Sequence, residues 1–177
     1  PEFSSVGAGL QLGPNAVRAL QNLGAWDSVE PITSSPPEIH VRDGITGKLL
    51  KRLNLGKSFE TRFGAPNRVA HRADLHRALL EVVRARSNIQ LHLGEAVSHV
   101  EDRPDGVQIR TNGKVILGTA LIAADGVHSK IRQHIFSGTS PVDSGDVFHR
   151  ALLKVPDSRI TKECVNLWLY PQGHVVH

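Results

Sequence analysis

The 177-residue sequence contains no methionine and only one cysteine, Cys164. A single cysteine excludes a disulfide framework. No apolar run approaches the roughly 20 residues that a membrane-spanning helix needs. No secretory signal precedes the first polar segment, so we expect a soluble protein in the reducing cytoplasm. Because methionine is absent, we also expect these residues to be an internal excerpt of a longer chain.

The sequence also lacks the patterns of nucleic-acid-binding and zinc proteins. The net charge of +4 could favour nucleic acid, but the basic residues are scattered and no aromatic stacking pattern accompanies them. The histidine pairs His71/His76 and His174/His177 match no zinc spacing. We therefore predict no metal site and no nucleic-acid partner. The basic excess suits a small anionic ligand, and a solvated basic surface is the alternative.

Apolar residues make up 40% of the chain, enough for a packed core. Proline near the start and glycine after the end predict a helix from Pro14 to about Gly24. A second helix is predicted over residues 74–84, with Asp74 near its positive N-terminal end. Its apolar residues recur at helical spacing and would form one face: Leu75, Ala78, Leu79, Val82 and Val83.

Alternating apolar residues and turn signals predict several short strands. Residues 31–55 look like a hairpin, followed by a long polar loop, "GKSFETRFGAPNRV". The segment "IQLHL" after the second helix predicts half of a parallel βαβ unit. Three more strands follow in "AVSHVEDR", "GVQIRTN" and "KVILGTALIAADG". We expect 121–124 to be a buried strand, and residues 31–55 and 145–177 to form a separate antiparallel layer.

The stretch "LIAADGVHSKIRQHIF" places Asp125 and Gly126 after an apolar run and before a helix. A carboxylate there needs hydrogen-bond donors, and glycine allows a close approach to the backbone. Ligands of open α/β sheets bind at the carboxyl ends of strands. Ser129 would cap the helix. The alternative is that Asp125 is a capping or turn carboxylate without a ligand.

Three segments carry a family resemblance: "PEFSSVGAGLQLGPNAVRALQNLG", "FGAPNRVAHRADLHRALL" and "LIAADGVHSKIR". In this order and spacing, and together with "LWLYPQGHVVH", they resemble the single-component FAD-dependent aromatic hydroxylases, the group of salicylate hydroxylase and 3-hydroxybenzoate 6-hydroxylase. The resemblance covers nearly the whole chain. It implies a mixed α/β (α+β) fold of the FAD/NAD(P)-binding Rossmann-like type, here incomplete, with an antiparallel substrate-domain sheet. Residues 1–30 and 65–140 would belong to the FAD-binding domain, and 31–64 and 141–177 to the substrate-binding domain.

The resemblance also implies the cofactor contacts. The Asp-Gly pair would lie where the flavin and the reduced nicotinamide approach, and the guanidinium of "HRADL" would contact FAD. The segment "GAGL" would follow the cofactor with backbone contacts, and the residue after "IQLHLGEA" would present its backbone to the adenine. The resulting candidates are Gly9, Leu10, Arg72, Val97, Asp125 and Gly126.

The activity implied by the resemblance is hydroxylation of a phenolic aromatic carboxylate, with NADH or NADPH reducing FAD and O2 supplying the oxygen atom. His177 and His174 are candidates for the base that activates the phenol, because histidine changes charge near neutral pH. A flavoprotein epoxidase or reductase with an apolar substrate, and a truncated product without catalysis, are the alternatives. The family's glycine-rich pyrophosphate turn and later Gly-Asp motif are absent here. We therefore expect the 177-residue chain to hold no tightly bound FAD, to be inactive, and to cover an unpaired sheet edge by self-association.

Overall fold

The computed structural model describes residues 9–136, 140–151 and 164–177. The chain divides into two compact units. We call Gln90–His149 the meander unit, and Phe3–Ile89 with Arg150–His177 the helical unit. Within the described ranges, no helix has both the length and the apolar character of a membrane span.

Four helices lie in the described part of the helical unit. Helix α1 begins at Pro14, whose missing N–H is tolerated in the first turn, and Gly24 follows its end with a φ of 64°. The helices predicted near Pro14 and over residues 74–84 are both confirmed. The bounds are α1 Pro14–Asn22, α2 Trp26–Val29, α3 Lys57–Phe63 and α4 Arg72–Arg84, with a 3-10 turn at Glu30–Ile32.

The core of the helical unit lies between α1, α2 and α4. Val17 of α1 and Val29 of α2 are fully buried, and Ala78 of α4 is buried beside them. Leu75 and Leu79 pack against the same cluster, as the helical spacing predicts. Three of the six buried members of this cluster are alanines.

The described strands of the helical unit form two sheets. The strand bounds are β1 Gly9–Leu12, β2 Thr33–Ser34, β3 Glu38–Asp43, β4 Leu49–Asn54, β5 Arg68–His71, β9 Val165–Tyr170 and β10 Gly173–Val176. The first sheet is antiparallel, with the order β1-β5-β2. The second has the order β10-β9-β3-β4, in which β3 and β4 form the predicted hairpin.

The layer predicted from residues 31–55 and 145–177 exists, but it is not wholly antiparallel. Strands β3 and β9 pair in parallel, with His40 opposite Asn166. Parallel neighbours need a long connection, and more than 100 residues separate these two strands in the chain. Residues 140–151 contain no strand, and 152–163 lie outside the described residues.

The meander unit is a three-stranded antiparallel sheet followed by a short helix. The strands are β6 His99–Arg103, β7 Gly106–Arg110 and β8 Val115–Gly118, and the helix is α5 Lys130–Ile135. Turns after Arg103 and around Asn112-Gly113 join the strands. Val100, Val107 and Ile131 form its core.

Three local predictions were wrong. Residues 89–93 and 121–124 form no strand. A strand needs a neighbour to pair its backbone, and none lies beside either run in the described part of the chain. Only Leu121 of the second run packs on the core, whereas Ile122 is 91% exposed. The segment predicted to be a polar loop contains helix α3. Its glycines lie at the two ends of the helix and do not interrupt it: Gly56 precedes α3, and Gly64 ends it at a φ of 77°.

Candidate functional site

Asp125 lies in the meander unit, just before α5, and its carboxylate is held by its own chain. The Ser129 hydroxyl donates to Asp125 Oδ1 at 2.5 Å. The backbone N–H groups of Lys130 and Ile131 donate to Oδ2 at 3.0 and 3.4 Å. The same Ser129 hydroxyl accepts the Arg132 N–H at 2.9 Å. The donors required by a carboxylate at this place are therefore supplied by the start of α5.

These hydrogen bonds keep Asp125 ionised. The hydrogen bond from the Ser129 hydroxyl is the main cause that lowers the pKa of Asp125, and the backbone N–H groups of Ile131 and Lys130 add to it against a partly offsetting desolvation. The side chain is exposed. Asp125 thus presents a negative charge to solvent while it caps a helix, which matches the capping alternative and leaves carboxylate lone pairs available to a ligand.

Gly126 is distinguished by its backbone conformation, and Val97 by the packing of its side chain. Gly126 has a φ of 82°, which disfavours any other residue, and its carbonyl accepts the Ser129 N–H at 3.1 Å. Val97 lies just before β6 and packs its side chain against the core of the meander unit. A side chain anchored in this way would hold the Val97 backbone in a fixed position.

In the helical unit, the structure brings Gly9, Leu10 and Arg72 together. Gly9 pairs with His71, the residue before Arg72, and Leu10 pairs with Ala70. Strand β1 is the outer strand of its sheet. A Cβ built on Gly9 would meet no atom of the described residues within 4 Å. Gly7, the start of the predicted cofactor segment, lies outside the described residues.

This arrangement fits the FAD that the resemblance implies. An outer strand leaves backbone N–H groups along one edge, and the exposed Arg72 side chain stands at the adjacent helix start. Backbone N–H groups and guanidinium are the donors that bind a pyrophosphate anion or a flavin edge well. The open space beside Gly9 allows a planar group to lie against the backbone.

The two candidate histidines lie on opposite faces of their sheet. His177 exchanges backbone hydrogen bonds with Asn166 at 2.8 and 3.0 Å, and its ring stacks on Trp168 with the centroids 6.1 Å apart. His174 pairs with Leu169 instead. Side chains alternate along a strand, so the two imidazoles point to different faces. They cannot act together on one substrate.

Sequence reasoning missed the neighbours of His177. The Arg42 guanidinium lies 5.4 Å from the Trp168 ring centroid, and its Nε donates to Asn166 Oδ1 at 3.1 Å. Asn166 is buried. Period-two spacing could have placed alternate side chains of "EIHVRD" on one face of β3, and alternate side chains of "VNLWLY" on one face of β9. The parallel pairing that brings these side chains of β3 and β9 together has no local sequence signal.

No protein-family model matches the chain, but curated proteins do. It is 38% identical over 181 residues to 3-amino-4-hydroxybenzoate 2-monooxygenase of Streptomyces cremeus. It is 33% identical over 180 residues to 3-hydroxybenzoate 6-hydroxylase of Polaromonas naphthalenivorans. Each match covers 100% of this chain and 45% of the relative. The chain therefore spans a little under half the length of these curated relatives.

Solved structures agree with these relatives. HpxO of Klebsiella pneumoniae, complexed with FAD and uric acid, superposes with a TM-score of 0.62 at 30% identity, covering 75% of this chain and 33% of that one. The oxygenase of 2-methyl-3-hydroxypyridine-5-carboxylic acid gives a TM-score of 0.61 at 29% identity, covering 76% and 33%. The mixed α/β fold is thereby confirmed. The homologues of this chain are 3-hydroxybenzoate 6-hydroxylase and related FAD-dependent monooxygenases.

Proposed function

We propose that the whole protein hydroxylates a phenolic aromatic carboxylate with NADH or NADPH and O2, using FAD. The observation that carries this proposal is the 33 to 38% identity, over all of this chain, to enzymes named for hydroxybenzoate substrates. The scattered basic excess of +4 supports an anionic substrate. We also propose that the protein is cytoplasmic, because the cytoplasm supplies NADH and NADPH.

The proposed cofactor contacts are those that the resemblance implies. In the helical unit, Arg72 binds an anionic or electron-rich edge of FAD, and the backbone of Gly9 and Leu10 runs along it. In the meander unit, Val97 offers its backbone to the adenine, and Asp125 with Gly126 meets the flavin and the nicotinamide. When bound, FAD supplies electron transfer from NAD(P)H to O2 and oxygen transfer to the substrate.

The substrate contacts come from the sheet face that carries His177. His177 accepts the proton of the substrate hydroxyl at a ring nitrogen, which makes the aromatic ring more electron-rich. The stacked Trp168 restrains the imidazole, and Arg42 places a positive charge on the same face to attract the substrate carboxylate. His174, on the other face, has no part in this step. The proposal includes the domain division predicted from the sequence, in which residues 31–64 and 141–177 belong to the substrate-binding domain.

The test is an assay of the whole protein against a matched set of compounds. Substrate-stimulated oxidation of NADH and NADPH is measured with 3-hydroxybenzoate, salicylate and 3-amino-4-hydroxybenzoate, and with phenol and toluene as controls that lack the carboxylate or both polar groups. We expect oxidation coupled to a product one oxygen atom heavier with at least one of the acids, and little with toluene. Activity confined to apolar compounds would support the epoxidase or reductase alternative. No stimulation by any compound, from a protein that holds FAD, would contradict the proposal.

A further inference from the structure

A cluster of three metal-ligand side chains lies at one end of the β3–β9 pair. Glu38 and His40 are on β3, and Cys164 immediately precedes β9. Because Ile39 pairs with Val165 and His40 with Asn166, Cys164 comes beside Glu38 on the face that carries His40. One ligand atom from each of the three residues lies within 4.8 Å of the others. The proposed hydroxylation uses none of these residues.

The His40 ring already contacts a second member of the cluster. His40 is only 7% exposed, and its Nε2 lies 2.6 Å from Glu38 Oε2. An ionised carboxylate only accepts hydrogen bonds, so we assign the ring proton to Nε2 in the absence of an ion. A neutral imidazole can carry its proton on Nδ1 instead, which leaves the Nε2 lone pair facing Glu38. His40 and Glu38 then offer their ligand atoms to the same point.

We propose that Glu38, His40 and Cys164 bind a Zn²⁺ ion. Thiolate and imidazole together select a borderline-soft ion such as zinc over Ca²⁺ or Mg²⁺, which prefer oxygen ligands. Three protein ligands and one water complete a tetrahedral site. On binding, the Cys164 thiol releases its proton to solvent and a Zn–S bond forms.

The spacing of the cluster suits this ion after a small adjustment. Zinc bonds of about 2.0 to 2.3 Å place neighbouring ligand atoms about 3.3 to 3.8 Å apart in a tetrahedron. The three ligand atoms already lie within 4.8 Å of one another. The bound ion would tie β3 to the start of β9. The sequence-based prediction of no metal considered only local histidine pairs and had no signal for a set so distant along the chain.

The test uses the purified protein after removal of metals with a chelator. Cobalt(II) is titrated first, because a cobalt–thiolate bond produces intense charge-transfer absorption, and zinc is then added in competition. We expect one equivalent of cobalt to produce the absorption and zinc to abolish it. Cys164 is the only cysteine, so alkylation by iodoacetamide reports on this thiol alone. Zinc should slow that alkylation at least about tenfold.

The half-buried Cys164 allows a variant that should keep the fold. Cys164→Ser should lose the cobalt absorption and bind zinc at least about tenfold more weakly, as should Glu38→Gln. His92→Gln removes an exposed histidine from the meander unit and should bind like the wild type. Far-UV circular dichroism checks that each variant is folded. Absence of the cobalt–thiolate absorption, unchanged alkylation with zinc, or unchanged zinc binding by folded Cys164→Ser would each overturn the proposal.

Discussion

Asp125 and Ser129 hold each other in place at the start of α5. The Ser129 hydroxyl donates to the Asp125 carboxylate and accepts the Arg132 N–H, so one buried side chain connects the Asp-Gly turn to the helix. Such a pair gives the turn a fixed shape before any ligand arrives. A residue that a family motif assigns to a cofactor can therefore also be part of the local fold.

Ser129→Ala should lower the free energy of unfolding of the protein by about 1 kcal/mol, within the 0.5 to 2 kcal/mol of lost N-caps. It should also raise the pKa of Asp125, because the Ser129 hydroxyl is the main cause of its depression. Urea denaturation at neutral pH measures the first effect, and NMR titration of the carboxyl carbon measures the second. Ser87→Ala, at an exposed serine, is the control and should change neither.

The pH dependence of that effect has a definite sign. A depressed carboxyl pKa stabilises the folded state above the ordinary Asp value of about 3.9, and this stabilisation is lost as the pH falls through the folded-state pKa. The difference in unfolding free energy between wild type and Ser129→Ala should therefore shrink as the pH falls below that value. A difference that grows in acid would contradict the assignment.

Gly9 offers a test of cofactor placement that separates binding from folding. A Cβ there meets no atom of the described chain within 4 Å, so Gly9→Ala should leave the thermal midpoint nearly unchanged. If FAD lies along the backbone of β1, the added methyl group should weaken FAD binding by the whole protein at least about tenfold. Flavin fluorescence titration measures this. Gly173→Ala has similar free space and should bind FAD normally, and equal affinity in all three proteins would exclude the placement.

Among the elements of the meander unit, the start of β7 has no room for a side chain at one glycine. Gly106 begins β7 with a φ of 146°, and a Cβ there would collide with the carbonyl oxygen of Gly118. Gly113, in the next turn, has a φ of 110° but free space around it. The two glycines thus share unfavourable backbone geometry and differ in packing.

Gly106→Ala should therefore destabilise the protein more than Gly113→Ala. Backbone strain alone costs about 1 to 2 kcal/mol for an alanine at positive φ, and forced overpacking adds about 1 to 3 kcal/mol. Urea denaturation of the two variants compares the costs directly. Equal destabilisation would mean that the approach of Gly106 to Gly118 contributes nothing.

The elements also explain what the sequence could predict. Helices α1 and α4, the β3–β4 hairpin and the turns of the meander follow from caps, glycines and periodicity, which act within a few residues. Residues 89–93 and 121–124 have strand-like composition but no neighbouring strand in the described chain, and composition cannot supply a pairing partner. The same limit hid the β3–β9 register, and with it the neighbours of His177 and the Glu38–His40–Cys164 cluster.

At the scale of the whole molecule, association depends on the apolar side chains that the chain leaves exposed. Several large apolar side chains of the meander unit are exposed in the described residues: Ile122, Val127, Val142, Val147 and Phe148. Apolar surface of this extent favours association.

We expect the 177-residue chain to cover part of that surface with a second copy of itself. The run at 121–124 is apolar and lacks a strand partner in the described chain, so a second copy could pair with its backbone and bury Ile122. We expect the dissociation constant of this self-association to be in the micromolar range. Sedimentation velocity over concentrations on the order of 10 to 100 µM should then show a shift from monomer to a larger species. Ile122→Lys should move this shift to higher concentration, because it would bring a charge into the contact. Ile45→Lys, at a 74% exposed residue in the β3–β4 turn, should leave it unchanged. A wild-type chain that stays monomeric throughout, or equal association of both variants, would show that the run at 121–124 does not join two copies.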